Sequence, residues 1–262
     1  MSAVDLFGLL VPVTFLVMLG IETLFPARAF PPIRFWRLKG IGFLLMAGIL
    51  ASTVPLLIPE DWLARHRLMD LTSLGVIGGA AVGYLAVSLL SYVWHRSAHT
   101  FPVMWRLLHQ IHHSPQRMDM AGANLFHPLE LSGFILMGTL TTTLLLGLDP
   151  VAAALTGYIA NFYSYFQHMN VRTPRWLGII IQRPEAHCVH HQRDVHAWNY
   201  GDLPIWDMLL GTYRNPATFE GEVGFDAPAT RRLGAMLAFV DVNRPISGPN
   251  SLGRKANAET AG

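Results

Sequence analysis

The sequence predicts an all-α fold, an integral-membrane helical bundle with a histidine-rich helical cap on the cytoplasmic side. Three observations predict it. The 262 residues are 52% apolar and only 14% charged, a balance that suits a membrane protein better than a soluble one. Three apolar runs and a split fourth reach bilayer length. Of 12 histidines, 11 fall between His95 and His196, in clusters with helical spacing.

Residues 6–25 are apolar apart from Thr14, Glu22 and Thr23, and residues 40–59 and 73–94 carry no charge. Each meets the roughly 20 residues that span a bilayer. No basic stretch precedes the first run, and Pro26-Ala27-Arg28 follows it in place of a small-residue cleavage site. It therefore reads as a retained helix rather than a signal peptide. Region 131–167 breaks at Gly147-Leu148-Asp149-Pro150, so its two halves read as a membrane-inserted helical hairpin. This gives about three transmembrane helices plus the hairpin. Leu203 to Leu210 reads as an interfacial amphipathic segment with Trp206 at headgroup level. The tail from about Ser247 to Gly262 is of low complexity and is expected to be disordered. Three divisions follow: N-terminal helices and loops in 1–72, a histidine-bearing domain in 73–215, and a C-terminal extension in 216–262.

The loops orient the bundle. Residues 26–39 hold Arg28, Arg34, Arg37 and Lys39 and no acid, whereas residues 60–72 hold Arg65 and Arg67 against Glu60, Asp61 and Asp70. The first loop is the better cytoplasmic candidate. The third helix then delivers His95 to the cytoplasmic surface, and the hairpin returns His168 to that same side. Arg172, Arg175, Arg183 and Arg193 follow there. A net charge of +2 gives no ground for a nucleic-acid partner. The single cysteine, Cys188, excludes an internal disulfide.

Three histidine boxes carry the chemistry: His95-Arg-Ser-Ala-His99, His109-Gln-Ile-His112-His113 and His187-Cys-Val-His190-His191. Residues three and four apart share a helix face, so each box is expected to project its imidazoles together. Pro102 and Pro184 are placed to start short helices, and Pro115 to end one. Imidazole is the commonest metal ligand among side chains. One tetrahedral ion takes about four ligands, so eight imidazoles, nine with His168, imply two metals. An all-nitrogen set favours zinc, iron, copper or nickel over magnesium or calcium.

Other residues are weighed beside the boxes. His127 precedes a proline and is a candidate ligand, a group that orients a ligand, or a loop anchor. His196 is a further candidate ligand, five residues past His191. Asp119, Glu130, Asn170 and Asp194 are candidates for fixing the imidazoles. Two polar stripes, Tyr84, Ser88 and Tyr92 with Ser91 on one helix and Asn161 and Tyr165 with Ser164 on the other, are expected to line one substrate cavity; ordinary helix–helix hydrogen bonding is the alternative. Cys188 reads as packing. His66 lies in the outer loop, away from the metals, and Glu22 faces either another helix or a headgroup.

The ordered combination resembles the fatty acid hydroxylase and sterol desaturase superfamily over about residues 75–215. It comprises the three boxes, Phe126-His127-Pro128-Leu129-Glu130, Gln167-His168-Met169-Asn170, Asn199-Tyr200-Gly201, Trp206-Asp207 and Gly211-Thr212-Tyr213. The resemblance is greatest to the broad bacterial sterol desaturase group, and a bacterial inner membrane is the expected location. It implies two iron ions held by the eight box histidines and His168. It also implies molecular oxygen as co-substrate and a lipid substrate that is hydroxylated or desaturated. Electrons would come from a separate ferredoxin or b-type cytochrome, since no ferredoxin cysteines, fused cytochrome domain or nucleotide-binding glycine motif is seen. The fatty-acyl hydroxylases of the family carry a longer first box and a histidine at the position of Ser164, which leaves the lipid unassigned.

Two readings compete with a lipid oxygenase. A membrane zinc hydrolase calls for an acidic base within a motif such as His-Glu-x-x-His, which does not occur here. A metal transporter places its ligands near the bilayer midplane, whereas these histidines lie at or beyond the helix ends.

Overall fold

The computed structural model describes residues 1–243. The chain begins with α1 (Ala3–Leu24) and α2 (Trp36–Thr53), which runs on as a 3-10 turn to Leu57. Then come α3 (Gly75–Thr100), α4 (Pro128–Thr139), which continues as a π turn over Leu140–Leu145, α5 (Pro150–His168) and α6 (Pro184–His190). Shorter helical turns fill the rest. Among the described residues there is no β-sheet, only an isolated bridge between Gln192 and Val223.

Local chemistry sets the boundaries. Ser2 and Asp5 form a reciprocal capping box at the start of α1. Asp149 accepts hydrogen bonds from Val151 and Ala152 at the start of α5, with Pro150 in the first helical position. Two helices therefore flank a turn at the sequence break, as the hairpin reading expects.

Four helices are long and apolar enough to cross a membrane: Ala3–Leu24, Trp36–Leu57, Thr72–Thr100 and Pro128–Leu145. The fourth is the first arm of the hairpin. The second arm, α5, is not among them; it carries Thr156, Tyr163, Ser164 and Gln167 and packs against both α1 and α3. Small residues permit that approach, with Gly79 lying against Ala152 and Gly83 against Thr156.

At one end of the bundle the loops and short helices form a cap. Its core joins Trp36, Ile111, Leu125, Phe225, Ala229 and Met236. Residues past 215 thus take part in this core, and Thr230 hydrogen-bonds the Ser114 carbonyl beside box two. The disorder expected from Ser247 lies outside the described residues. Glu22, at the end of α1, is buried and its Oε2 accepts from the backbone N–H of Met120 (3.0 Å) and of Asn170 (2.9 Å). It therefore faces loop backbone rather than a headgroup. Trp206, expected at headgroup level, donates its indole N–H to Ser88 on α3, while Ile205 and Leu209 of the same short helix are exposed.

Candidate metal centre

The last turns of α3 carry His95 and His99. Phe101 is extended and Pro102 opens the next helical segment. That segment passes through a π turn at Trp105–His109 and ends as a short helix at His113, just before Pro115. α6 opens on Pro184 and carries His187 and His190, with His191 at its C-terminal cap. α5 ends on His168.

The structure brings the nine expected imidazoles into two groups. His95, His99, His109, His113 and His190 form one; His112, His168, His187 and His191 form the other. Within each group the donor nitrogens lie within 4.8 Å of one another. Box one stays whole, but boxes two and three divide between the groups, contrary to the expectation from their spacing. Each i, i+4 pair serves one group (His95/His99, His109/His113, His187/His191), and the residue at i+3, His112 or His190, turns to the other.

Hydrogen bonding fixes several tautomers. A carbonyl can only accept, so Nδ1 must carry the proton in His95 (to Tyr200 O, 2.7 Å), His190 (to Trp198 O, 2.7 Å) and His168 (to Ser164 O, 2.6 Å). His109 Nδ1 lies 2.7 Å from Glu130 Oε1. In each, Nε2 is left as a lone pair facing inward. His109 Nε2 and His190 Nε2 both face His113 Nε2, at 3.0 and 3.1 Å. His168 Nε2 faces His112 Nε2 at 3.1 Å and His187 Nε2 at 3.2 Å. A single N–H cannot serve both neighbours, and Nε2 of His95, His99 and His191 is buried with no partner at all. Converging lone pairs of this kind fit a cation at each group.

Burial, followed by repulsion from neighbouring imidazoles, holds His112, His113, His187, His190 and His191 well below the ordinary imidazole pKa. These rings are neutral at pH 7, the state in which they ligate.

The remaining candidates divide. Glu130 does orient an imidazole, at 0% exposure. Asp119 instead binds the Trp36 indole and Arg117. Asn170 bridges the backbone N–H and carbonyl of Arg28, so it fastens a loop. Asp194 is exposed and sits at positive φ. His127 is not gathered into either group: its Nδ1 accepts from Leu129 N–H, capping α4, and its Nε2 lies 3.3 Å from Leu237 O. Phe126 takes the inward position instead, stacked on His112 at 4.2 Å. His196 also lies outside both groups; its Nδ1 meets His113 Nδ1 at 3.1 Å, on the side away from the group. Cys188 is fully buried among Met118 and Val223. His66 stacks on Trp62.

The polar stripes do not line one cavity. Tyr84 packs on Tyr163, Ser88 binds Trp206, and Tyr92 binds Thr212. Asn161 returns to Gly157 O, and Tyr165 turns to Asn124 and Phe15 on the opposite side. Interhelical and local hydrogen bonds consume Ser88, Tyr92, Asn161 and Tyr165, as they commonly do in packed membrane helices; the buried Tyr84 hydroxyl has no hydrogen-bond partner among the described residues.

Sequence reasoning missed the backbone that steers His95 and His190. The segment Trp198–Gly201 supplies both carbonyls and is itself pinned. Asn199 binds Ala186 O and both the N–H and carbonyl of Arg214. Asp207, 0% exposed, accepts from Tyr200 N–H, Gly201 N–H and the Thr212 hydroxyl. The quoted Asn199-Tyr200-Gly201 and Trp206-Asp207 strings marked these positions without indicating what they do.

A family model described as fatty acid hydroxylase matches residues 80–212. An ornithine lipid hydroxylase of Rhizobium tropici is 35% identical over 130 residues, 48% of this chain and 38% of the relative. An alkylglycerol monooxygenase of Danio rerio is 29% identical over 137 residues, 50% of this chain and 30% of the relative. A lathosterol oxidase of Homo sapiens is 25% identical over 150 residues, 53% of this chain and 48% of the relative. The chain thus spans less than half the length of each. No solved structure matches.

Proposed function

The chain belongs to the fatty acid hydroxylase family, and from that premise we propose that it is a membrane lipid oxygenase that holds two iron ions. The two groups of inward-facing imidazole lone pairs carry this reading. His95, His99, His109, His113 and His190 would hold one ion, and His112, His168, His187 and His191 the other. When bound, the pair supplies the electrons that activate molecular oxygen for attack on an unactivated C–H bond.

The chain's own residues prepare that site. Ser164 O, Trp198 O, Tyr200 O and Glu130 hold four rings in one tautomer and orientation. Trp105 packs against His99 and His113, and Phe126 covers His112, so aromatic surface keeps water from the imidazoles. The substrate is a lipid, reached from the bilayer in which the apolar helices lie. The relatives' names point the same way, since each acts on a lipid or a lipid alcohol. Residues 73–215 form the catalytic unit. The arginine bias of the first loop supports a site on the cytoplasmic side, where a separate ferredoxin or b-type cytochrome would deliver electrons.

Comparative mass spectrometry of lipids from cells with and without the gene tests the reading. A lipid class that gains one oxygen or loses two hydrogens only when the gene is present is the expected result. Identical lipid profiles under active expression would refute it.

A further inference from the structure

A long groove runs between α1 and α5 on the outer face of the bundle, away from the histidines. Its volume is about 810 Å³, within the range of small-molecule sites. Val13, Val17 and Ile21 form one wall, each 43–55% exposed, and Phe162 and Phe166 form the other. Met18 and Met169 make the floor. They belong to a packed cluster with Phe15, Met120, Ala123 and Tyr165, and no histidine lines the groove. It is therefore separate from the candidate metal centre.

Two features say what it takes. From Val13 to Phe25 the wall covers 12 steps of helix, about 18 Å at 1.5 Å per residue. Half of a hydrocarbon core of about 30 Å is about 15 Å, so the groove matches the acyl layer of one leaflet. At the end where α1 leaves the bilayer, Arg172 is the only charged residue in the lining; it is exposed and has no partner among the described residues. Thr14, the polar side chain farther in, is already bonded to Tyr158 at 3.1 Å. An apolar slot one leaflet deep with an unpaired guanidinium at its mouth complements one lipid chemistry, an acyl chain joined to an anionic headgroup.

We propose that this groove is a binding site for an anionic phospholipid of the membrane, with the acyl chain between α1 and α5 and the phosphate on Arg172. The lipid is a bound component that seals the α1–α5 seam, not the substrate.

Native mass spectrometry of the purified full chain tests this, with phosphatidylglycerol and phosphatidylcholine of identical chains as probes. The wild type is expected to retain one phosphatidylglycerol about fivefold more strongly than phosphatidylcholine, the worth of one cation beside an anionic headgroup. Arg172→Gln abolishes that preference. Val17→Trp, which fills the slot, lowers retention of both lipids, while unchanged metal content shows that the fold survives. A preference that survives Arg172→Gln, or retention that survives Val17→Trp, overturns the proposal. So does efficient disulfide cross-linking of Val17→Cys between copies, which would mean that a second chain covers the groove.

Discussion

The carboxylate of Glu130 accepts from the Nδ1–H of His109 at 2.7 Å, and the two side chains are 0% and 1% exposed. A buried carboxylate in this position fixes the ring and turns its Nε2 toward the five-histidine group. Glu130→Ala is expected to weaken iron binding about 10- to 100-fold, read by competition against a chelator. Glu130→Gln keeps an acceptor and is expected to lose less. Equal, wild-type affinity in both would show that His109 needs no such partner.

Asp207 acts one step further out. It holds Tyr200 and Gly201 by their N–H groups, and Tyr200 O in turn holds His95. Removing a carboxylate that satisfies buried donors costs about 1–3 kcal/mol or more. Asp207→Ala is therefore expected to lower the thermal midpoint and to reduce iron content, whereas a surface substitution such as Glu60→Ala changes neither. Loss of stability at full iron content would confine Asp207 to a structural role.

The metal-free protein should be acid-sensitive. An imidazole held below its free pKa of 6.5 takes up its proton in the unfolded chain first. Stability is then whole above pH 6.5 and is lost as pH falls below it, by up to about 1.4 kcal/mol per group per pH unit. Burial raises Asp202 and Asp207 from 3.8 to about 6, so between those values their protonation favours the folded state and works the other way. The five histidines outnumber the two carboxyls. The thermal midpoint of the metal-free chain is expected to fall between about pH 7.5 and about pH 5.5, and a flat or rising profile would contradict this account.

His127 stands in the sequence beside residues that matter to the centre, yet it caps α4. His127→Asn supplies another good cap and is expected to retain full iron content. His127→Ala should cost about 0.5–2 kcal/mol of stability and still bind iron. Loss of iron in His127→Asn would return His127 to the ligand set.

These cases show what was legible in the sequence. Spacing of three and four residues named the eight box imidazoles, and prolines at positions 102, 115 and 184 placed boxes two and three on short helices. His168, the ninth that the structure gathers, was marked by its place at the end of the hairpin and by the family resemblance. Apolar runs and the Gly147–Pro150 break placed the helices and the hairpin. The division into five and four was not legible. It arises because the i+3 member of a triplet lies on the other flank of the i, i+4 pair, and only tertiary packing says what stands there. Phe126 and His127 are adjacent, and nothing in their order shows that the aromatic ring turns inward and the imidazole outward to Leu237. The carbonyls of Ser164, Trp198 and Tyr200 had no signature, because every residue has one. The stripe from Tyr84 to Tyr92 pointed to a cavity, but a polar side chain in a packed bundle equally finds a neighbour, as Ser88 and Tyr92 do.

The most direct measurement is the number of iron ions per chain in protein purified without oxygen, for the wild type and for His99→Ala and His168→Ala. Two ions in the wild type are expected, with each variant losing an ion from a different group and leaving distinct Mössbauer signals. One ion per chain, or two that survive both substitutions, would contradict the paired centre.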